Sequence, residues 1–194
     1  MLRFAILELL QHKPLSGYEL KRRFNGSVVF FWHANQSQIY RELRKMEKAG
    51  LIVGHKVTHE FRPTKTVYEV TPKGRAETVS WLRKPPKLQA IKDEMLLKCF
   101  AFNLIQQDEA DTQLEHQRRL HRAQLDFYLQ LQRQLEARHG ALSRTRDPIL
   151  FWNAQCLYHA VEFERMYLQW CEDALDHHRD FRAFCQAGQT NGAD

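Results

Sequence analysis

Between Asn35 and Leu51 the chain reads NQSQIYRELRKMEKAGL. On a helix at 100° per residue, Ile39, Leu43 and Met46 share one narrow stripe. Ser37, Arg41, Arg44 and Lys48 share the opposite stripe, with Lys45 beside them. Such a helix buries one side and presents hydroxyl, amide and cations on the other. Arg is shaped for guanine and Gln38 for adenine, and further cations suit phosphates. The chemistry is recognition of a polyanion with readable edges. Read in isolation, the stretch equally fits a solvated basic surface helix, and its neighbours decide between the two.

Catalytic chemistry has little to work with. No zinc-type Cys/His cluster, Gly-rich phosphate loop or Ser/Cys nucleophile motif occurs. His55 and His59 share one face of a predicted strand and could hold a metal, but two ligands are too few. We therefore expect no enzyme, no metal and no cofactor. Cys99, Cys156, Cys171 and Cys185 form no CxxC and are read as reduced, small hydrophobic residues of a cytoplasmic protein.

Charge is unevenly spread along the 194 residues. Residues 1–86 hold 16 Lys/Arg and 7 Asp/Glu, a net of +9; residues 87–194 hold 13 and 16, a net of −3. An anionic partner is thus expected for the first half, and nucleic acid fits best. The longest apolar run, Val28 to Trp32, is far too short to span a bilayer, and no signal-peptide pattern opens the chain, so no membrane role is expected.

The elements around the basic stretch favour its sharper reading. Residues 2–11 have the periodicity of a helix with a wide buried face. Ser16-Gly17-Tyr18-Glu19 is a capping box opening a second helix, with Leu20 and Phe24 inward and Lys21, Arg22 and Arg23 largely outside. Asn35 and Gln38 cap the basic helix, and Gly50 fits its C-terminal stop. Leu51–Thr58 and Thr66–Val70 read as two strands joined by a loop from Glu60 to Lys65. Lys56, Arg62 and Lys65 make this hairpin a basic wing, able to sit on phosphates beside the helix. Thr71-Pro72 opens a fourth helix to about Arg83, with Trp81 and Leu82 as apolar anchors, and Pro85-Pro86 marks a boundary.

Beyond that boundary the chain reads as helical. Residues 89–105 are apolar nearly all round and are expected mostly buried. A long helix from Asp108 to His139 carries two apolar stripes, one with Leu120, Phe127 and Leu131, the other with Leu125 and Tyr128, which implies two packing partners. Asp147-Pro148 starts a last helix whose Ile149, Asn153, Cys156, Ala160, Phe163, Tyr167, Trp170 and Ala174 form a heptad seam. That seam fits either a second copy of the chain or an intramolecular bundle. The dimer-interface candidates are Leu120, Phe127, Leu131, Phe163, Tyr167 and Trp170. Expected boundaries are 1–86 for a DNA-binding domain, 87–187 for a helical dimerisation domain and 188–194 for a flexible tail.

The motifs LRFAILELL, LSGYELKRRF (15–24), SQIYRELRKMEKAGLI (37–52), VYEVTPKGR (67–75) and KDEMLLKCF (92–100) together resemble the PadR family of bacterial winged-helix transcription regulators. The match resembles the longer subfamily, with an AphA-like helical C-terminal region. The resemblance implies a mainly α fold: an N-terminal winged helix-turn-helix with a β-hairpin wing, then an all-α C-terminal dimerisation domain. It implies a homodimer, here read as a repressor, on a near-palindromic operator in double-stranded DNA. It also implies that a small aromatic ligand releases the DNA, as in many members. Ser37, Gln38, Tyr40 and Arg41 match recognition-helix positions, Lys65 lies in the wing, and Phe30-Phe31-Trp32-His33 matches the aromatic link before that helix. Candidate effector-lining residues are Phe4, Trp32, Phe100 and Trp152, whose competing role is core filling. The rival class is a winged-helix protein-interaction adaptor without DNA readout.

Overall fold

The computed structural model describes residues 1–24, 35–59, 62–88 and 91–190, with only the backbone described at 59, 62, 63 and 188–190. The chain divides into two units, Met1–Gln89 and Ala90–Asp194.

The first unit is built in the order α1 (Leu2–His12), β1 (Leu15–Ser16), α2 (Gly17–Arg23), α3 (Gln36–Lys48), β2 (Ile52–His59), β3 (Arg62–Val70) and α4 (Pro72–Leu82). Its sheet has the order β1-β3-β2, antiparallel throughout. Leu15 pairs with Tyr68 and Ser16 with Val67, so the start of α2 is fastened to the hairpin. The core gathers Ile6, Leu7, Leu20, Phe24, Ile39 and Leu43 between helices and sheet. α1 packs on α3, α4 and β3, which closes this core from behind the basic helix.

Two expectations change here. Arg62 to Lys65 belong to β3, not to a loop: Val57 pairs with Lys65 and His59 with Arg62, with a register irregularity between Val57 and His59. Polar residues and Pro63 read as a turn, but β1 pairs with β3 only at Val67 and Tyr68, so the rim of the hairpin is an edge that tolerates proline. Leu82 is no anchor, being 66% exposed, whereas Trp81 stacks on Phe4 with ring centroids 4.4 Å apart.

The second unit comprises α5 (Glu94–Cys99), a 3-10 turn (Phe102–Leu104), α6 (Gln107–His139), a second 3-10 turn (Leu142–Arg144) and α7 (Pro148–Thr190). Asp147 Oδ1 accepts from the amides of Ile149 and Leu150 and starts α7 as expected. α6 and α7 run antiparallel: His121 pairs with Glu164, and further down α6 Asp111 pairs with His178. Met95, Leu114, Tyr167 and Cys171 form a buried cluster between α5, α6 and α7. The expectation that 89–105 is mostly buried fails within this unit. Met95 alone of its large apolar residues is buried, while Leu97, Phe100 and Leu104 are exposed. A short helix docked on a two-helix pair covers one side only, whatever its composition. α7 stays helical through Thr190, past the expected tail boundary at 188, and 191–194 lie outside the described residues.

Candidate nucleic-acid interface

α3 begins at a reciprocal cap. Asn35 Oδ1 accepts from Gln38 N at 2.9 Å, and Gln38 Oε1 accepts from Asn35 N at 3.0 Å. The helix ends where Gly50 takes φ 70°, a left-handed turn that glycine enters without a Cβ clash. Between these stops Ile39, Leu43 and Met46 are fully buried, so the rotation of the helix about its axis is fixed by the core. Its outward side then follows from geometry alone: Ser37, Gln38, Arg41, Arg44, Lys45 and Lys48 are all exposed. Glu47 Oε1 accepts from Gly54 N at 3.0 Å and ties the end of α3 to β2.

Two of the candidate DNA-contacting side chains, Gln38 and Tyr40, also have structural work. Gln38 spends its Oε1 on the cap, so a bidentate pairing with adenine requires that bond to open; Nε2 remains to reach outward. Tyr40 is half-buried and lies across the start of α2. A Cβ at Gly17 would stand 2.6 Å from its ring, so glycine is what lets the two helices approach this closely. The edge of the ring that bears the hydroxyl is the part that faces Gly17.

On the hairpin, Lys56 and Lys65 are exposed, and the Arg62 side chain lies outside the described residues. Lys65 Nζ faces Glu19 Oε1 at 3.8 Å. Glu19 is the N3 residue of the α2 capping box, and its Oε2 accepts from Ser16 Oγ at 2.6 Å and Ser16 N at 2.8 Å. These hydrogen bonds, then Lys65 and Lys13, hold its carboxyl below the ordinary 4.5. Around this pair lies a notch of about 480 Å³ lined by Tyr18, Glu19, Arg22, Tyr40, Thr64 and Lys65, among others. In the sequence Ser16 to Glu19 reads as a cap and nothing more. The signal was present in the pairing of β1 with β3, which no short-range pattern reveals.

The other candidate residues divide between the two units. Phe4 is committed to its stack on Trp81 within the first unit. Phe100 and Trp152 belong to the second unit and are both exposed, Trp152 meeting Phe151 edge-on. Trp32 and the rest of the aromatic link lie outside the described residues. Of the dimer candidates, Leu120, Phe127 and Phe163 are exposed, while Leu131 and Trp170 are half-buried. Tyr167 is a correction, because it is buried inside its own unit, stacked on His121 at 3.7 Å with its hydroxyl bonded to Asp93. Burial and that acceptor push the Tyr167 phenol up. Ile149 and Tyr167 lie about five turns apart and so on the same side of α7. Tyr167 is buried because Met95 and Leu114 pack against that part of the helix, whereas Ile149 stays exposed.

Comparison with known proteins places both units. A model described as the transcriptional regulator PadR-like family matches residues 6–79, and one described as virulence activator alpha C-term matches residues 91–179. The negative transcriptional regulator PadR of Bacillus subtilis (strain 168) is 30% identical over 181 residues, covering 90% of this chain and 96% of that protein. The crystal structure of Bacillus subtilis PadR in complex with operator DNA matches with a TM-score of 0.78 at 29% identity, covering 91% of this chain and 98% of the other. The structure of Bacillus subtilis PadR in complex with p-coumaric acid matches with a TM-score of 0.72 at 31% identity, covering 92% and 98%.

Proposed function

This chain belongs to the PadR-like family of transcriptional regulators, and from that premise we propose that it is a homodimeric repressor of a near-palindromic operator, released by a small aromatic ligand. The observation that carries the reading is the outward side of α3: Ser37, Arg41, Arg44 and Lys48 are held exposed by a buried stripe on a capped helix, beside a basic hairpin. In this reading Arg41 and Arg44 reach base edges in the major groove. Lys48, Lys56, Arg62 and Lys65 neutralise phosphates on either side. The relatives support the finer points. The Bacillus protein is named a negative regulator and is known in complex with operator DNA and with p-coumaric acid. Regulation of transcription is a non-enzymatic task, and nothing in the site calls for more.

The homodimer is supported by apolar surface that one copy leaves open: Leu120 and Phe127 on α6, and Ile149, Trp152, Phe163 and Met166 on α7. Dimerisation sets two recognition helices about one helical turn of DNA apart or a multiple of it, which is why a two-fold operator follows. A ligand releases such a dimer only if it prefers a different separation of the two heads.

Selection of bound sequences from a random duplex library at moderate salt tests the reading. Enrichment of a two-fold symmetric motif is expected, and adding p-coumaric acid or a related phenolic acid should release the selected duplex. Enrichment of a single half-site would overturn the dimer, and no enrichment at any salt would overturn specific readout.

A further inference from the structure

Beside α3 the first unit has a notch between α2 and β3. It opens beside the outward side of α3 and brings together groups from three elements: Tyr18, Glu19 and Arg22 from α2, Tyr40 from α3, and Thr64 and Lys65 from β3. Tyr18, Arg22, Thr64 and Lys65 are exposed there. Two cations and several hydroxyl donors around one concavity suit a phosphodiester group, since Arg and hydroxyls donate to its oxygens and Lys supplies a point charge. The single acid in that donor set is the anomaly. A carboxylate facing a DNA surface repels it, and the cap of α2 needs only one of the two carboxylate oxygens. Glu19 Oε2 takes both bonds from Ser16, whereas Oε1 is turned to Lys65 across 3.8 Å. That spacing is an ion pair without a tight hydrogen bond, between half-exposed side chains, and such pairs exchange partners at little cost.

We propose that this notch seats a backbone phosphate of the bound duplex, and that Glu19 is a built-in counter-charge which Lys65 exchanges for that phosphate. In the unbound protein Glu19 holds Lys65 over the notch, so the lysine is positioned before DNA arrives. On binding, Lys65 moves to the phosphate, and Glu19 is left to a solvent cation. Uptake of that cation offsets part of the counterion release that drives binding. Glu19 thus lowers affinity for DNA of any sequence and moderates its salt dependence. The proposal rests on the DNA-binding reading above and assigns Tyr18, Glu19 and Arg22 to it.

The test measures binding of a random-sequence duplex by fluorescence anisotropy over a salt series. It compares the wild-type protein with Glu19→Gln, Lys65→Ala, the double variant and Arg22→Gln. Gln at position 19 keeps an oxygen for the Ser16 bonds, and circular dichroism checks that the fold survives. Glu19→Gln should bind roughly two- to fivefold tighter at low salt, with a plot of log K against log salt steeper by up to about one unit. In the Lys65→Ala background the same change should have a clearly smaller effect. Arg22→Gln should weaken binding and make the slope shallower by about one unit. Equal or weaker binding by Glu19→Gln, or an equal gain with and without Lys65, overturns the exchange. An unchanged slope for Arg22→Gln overturns the phosphate seat, and does so even if Glu19→Gln fails to fold. Failure of the wild-type protein to bind any duplex overturns the DNA reading and this proposal together, a result distinct from the variant outcomes.

Discussion

Arg41 stands on the exposed side of α3, whereas Lys65 stands on β3 with Glu19 as its neighbour. The two carry one charge each, and in the proposed reading they meet different parts of a duplex. Arg41→Ala should cost roughly 1–3 kcal/mol of discrimination at one base position and leave others unchanged, measured with a panel of single-base operator variants. Lys65→Ala should weaken every sequence by one factor and make the salt slope shallower by up to about one unit, read from the same binding series. Thiols divide as clearly. Cys171 is fully buried, and burial, with Cys99 next, pushes its thiol up to about 11. Thiolate is the reactive form, and a raised value keeps it scarce near neutral pH. Cys185 is exposed. Maleimide at pH 7 should label Cys185 rapidly and Cys171 only after denaturation; early labelling of Cys171 by mass spectrometry would contradict the buried cluster.

At the scale of elements, the seam between α6 and α7 depends on a polar pair. His121 meets Glu164, whose side chain is 9% exposed, and the imidazole lies on the Tyr167 ring. Removing one partner strands the other in the interior, so His121→Ala should lower stability by about 3 kcal/mol in urea unfolding. Replacing both, as His121→Leu with Glu164→Met, should recover most of that loss, since a packed apolar pair stands in for a buried polar one. A double variant as unstable as the single one would show that the pair contributes through its shape. The elements themselves were largely legible in the sequence. Asn35 with Gln38, Ser16 with Glu19, and Asp147 ahead of Pro148 each capped the helix they promised. The failures share a cause. The rim of β3 looked like a loop because pairing partners, not local composition, decide where a strand begins. Phe100 and Leu104 looked buried because periodicity reports how apolar a segment is and not how many neighbours arrive to cover it. Tyr167 falls on the seam by spacing, and spacing does not tell that Met95 and Leu114 arrive to cover that part of α7. For the candidate site, the buried and exposed sides of α3 followed from spacing, but the Glu19–Lys65 contact needed β1 to join β3 across some fifty intervening residues.

At the scale of the molecule, a first half of net charge +9 is followed by a second half of −3. The basic unit repels its own kind, so two copies are better joined through the acidic, apolar-faced helical unit than through the heads. α6 and α7, of 33 and 43 residues, offer the length for such a join. Leu120 and Phe127 are half-exposed on α6, and Phe163 lies near His121 on the same flank. Residues of this size left in solvent mark an interface when several share one side of a helix pair. A carboxylate in the middle of that surface is buried without a partner if the copies join there. Leu120→Glu with Phe127→Glu should therefore give monomers in sedimentation velocity while each unit keeps its helical signal by circular dichroism. Monomers lose the second contact that becomes effectively intramolecular once the first head is bound, so operator affinity should fall by about 10²-fold or more. Binding to an isolated half-site should be unchanged, because α3 and the hairpin are untouched. Dimers that persist in the double variant would move the join to another face of the helical unit, and with it the distance between heads that the selected operator spacing has to match.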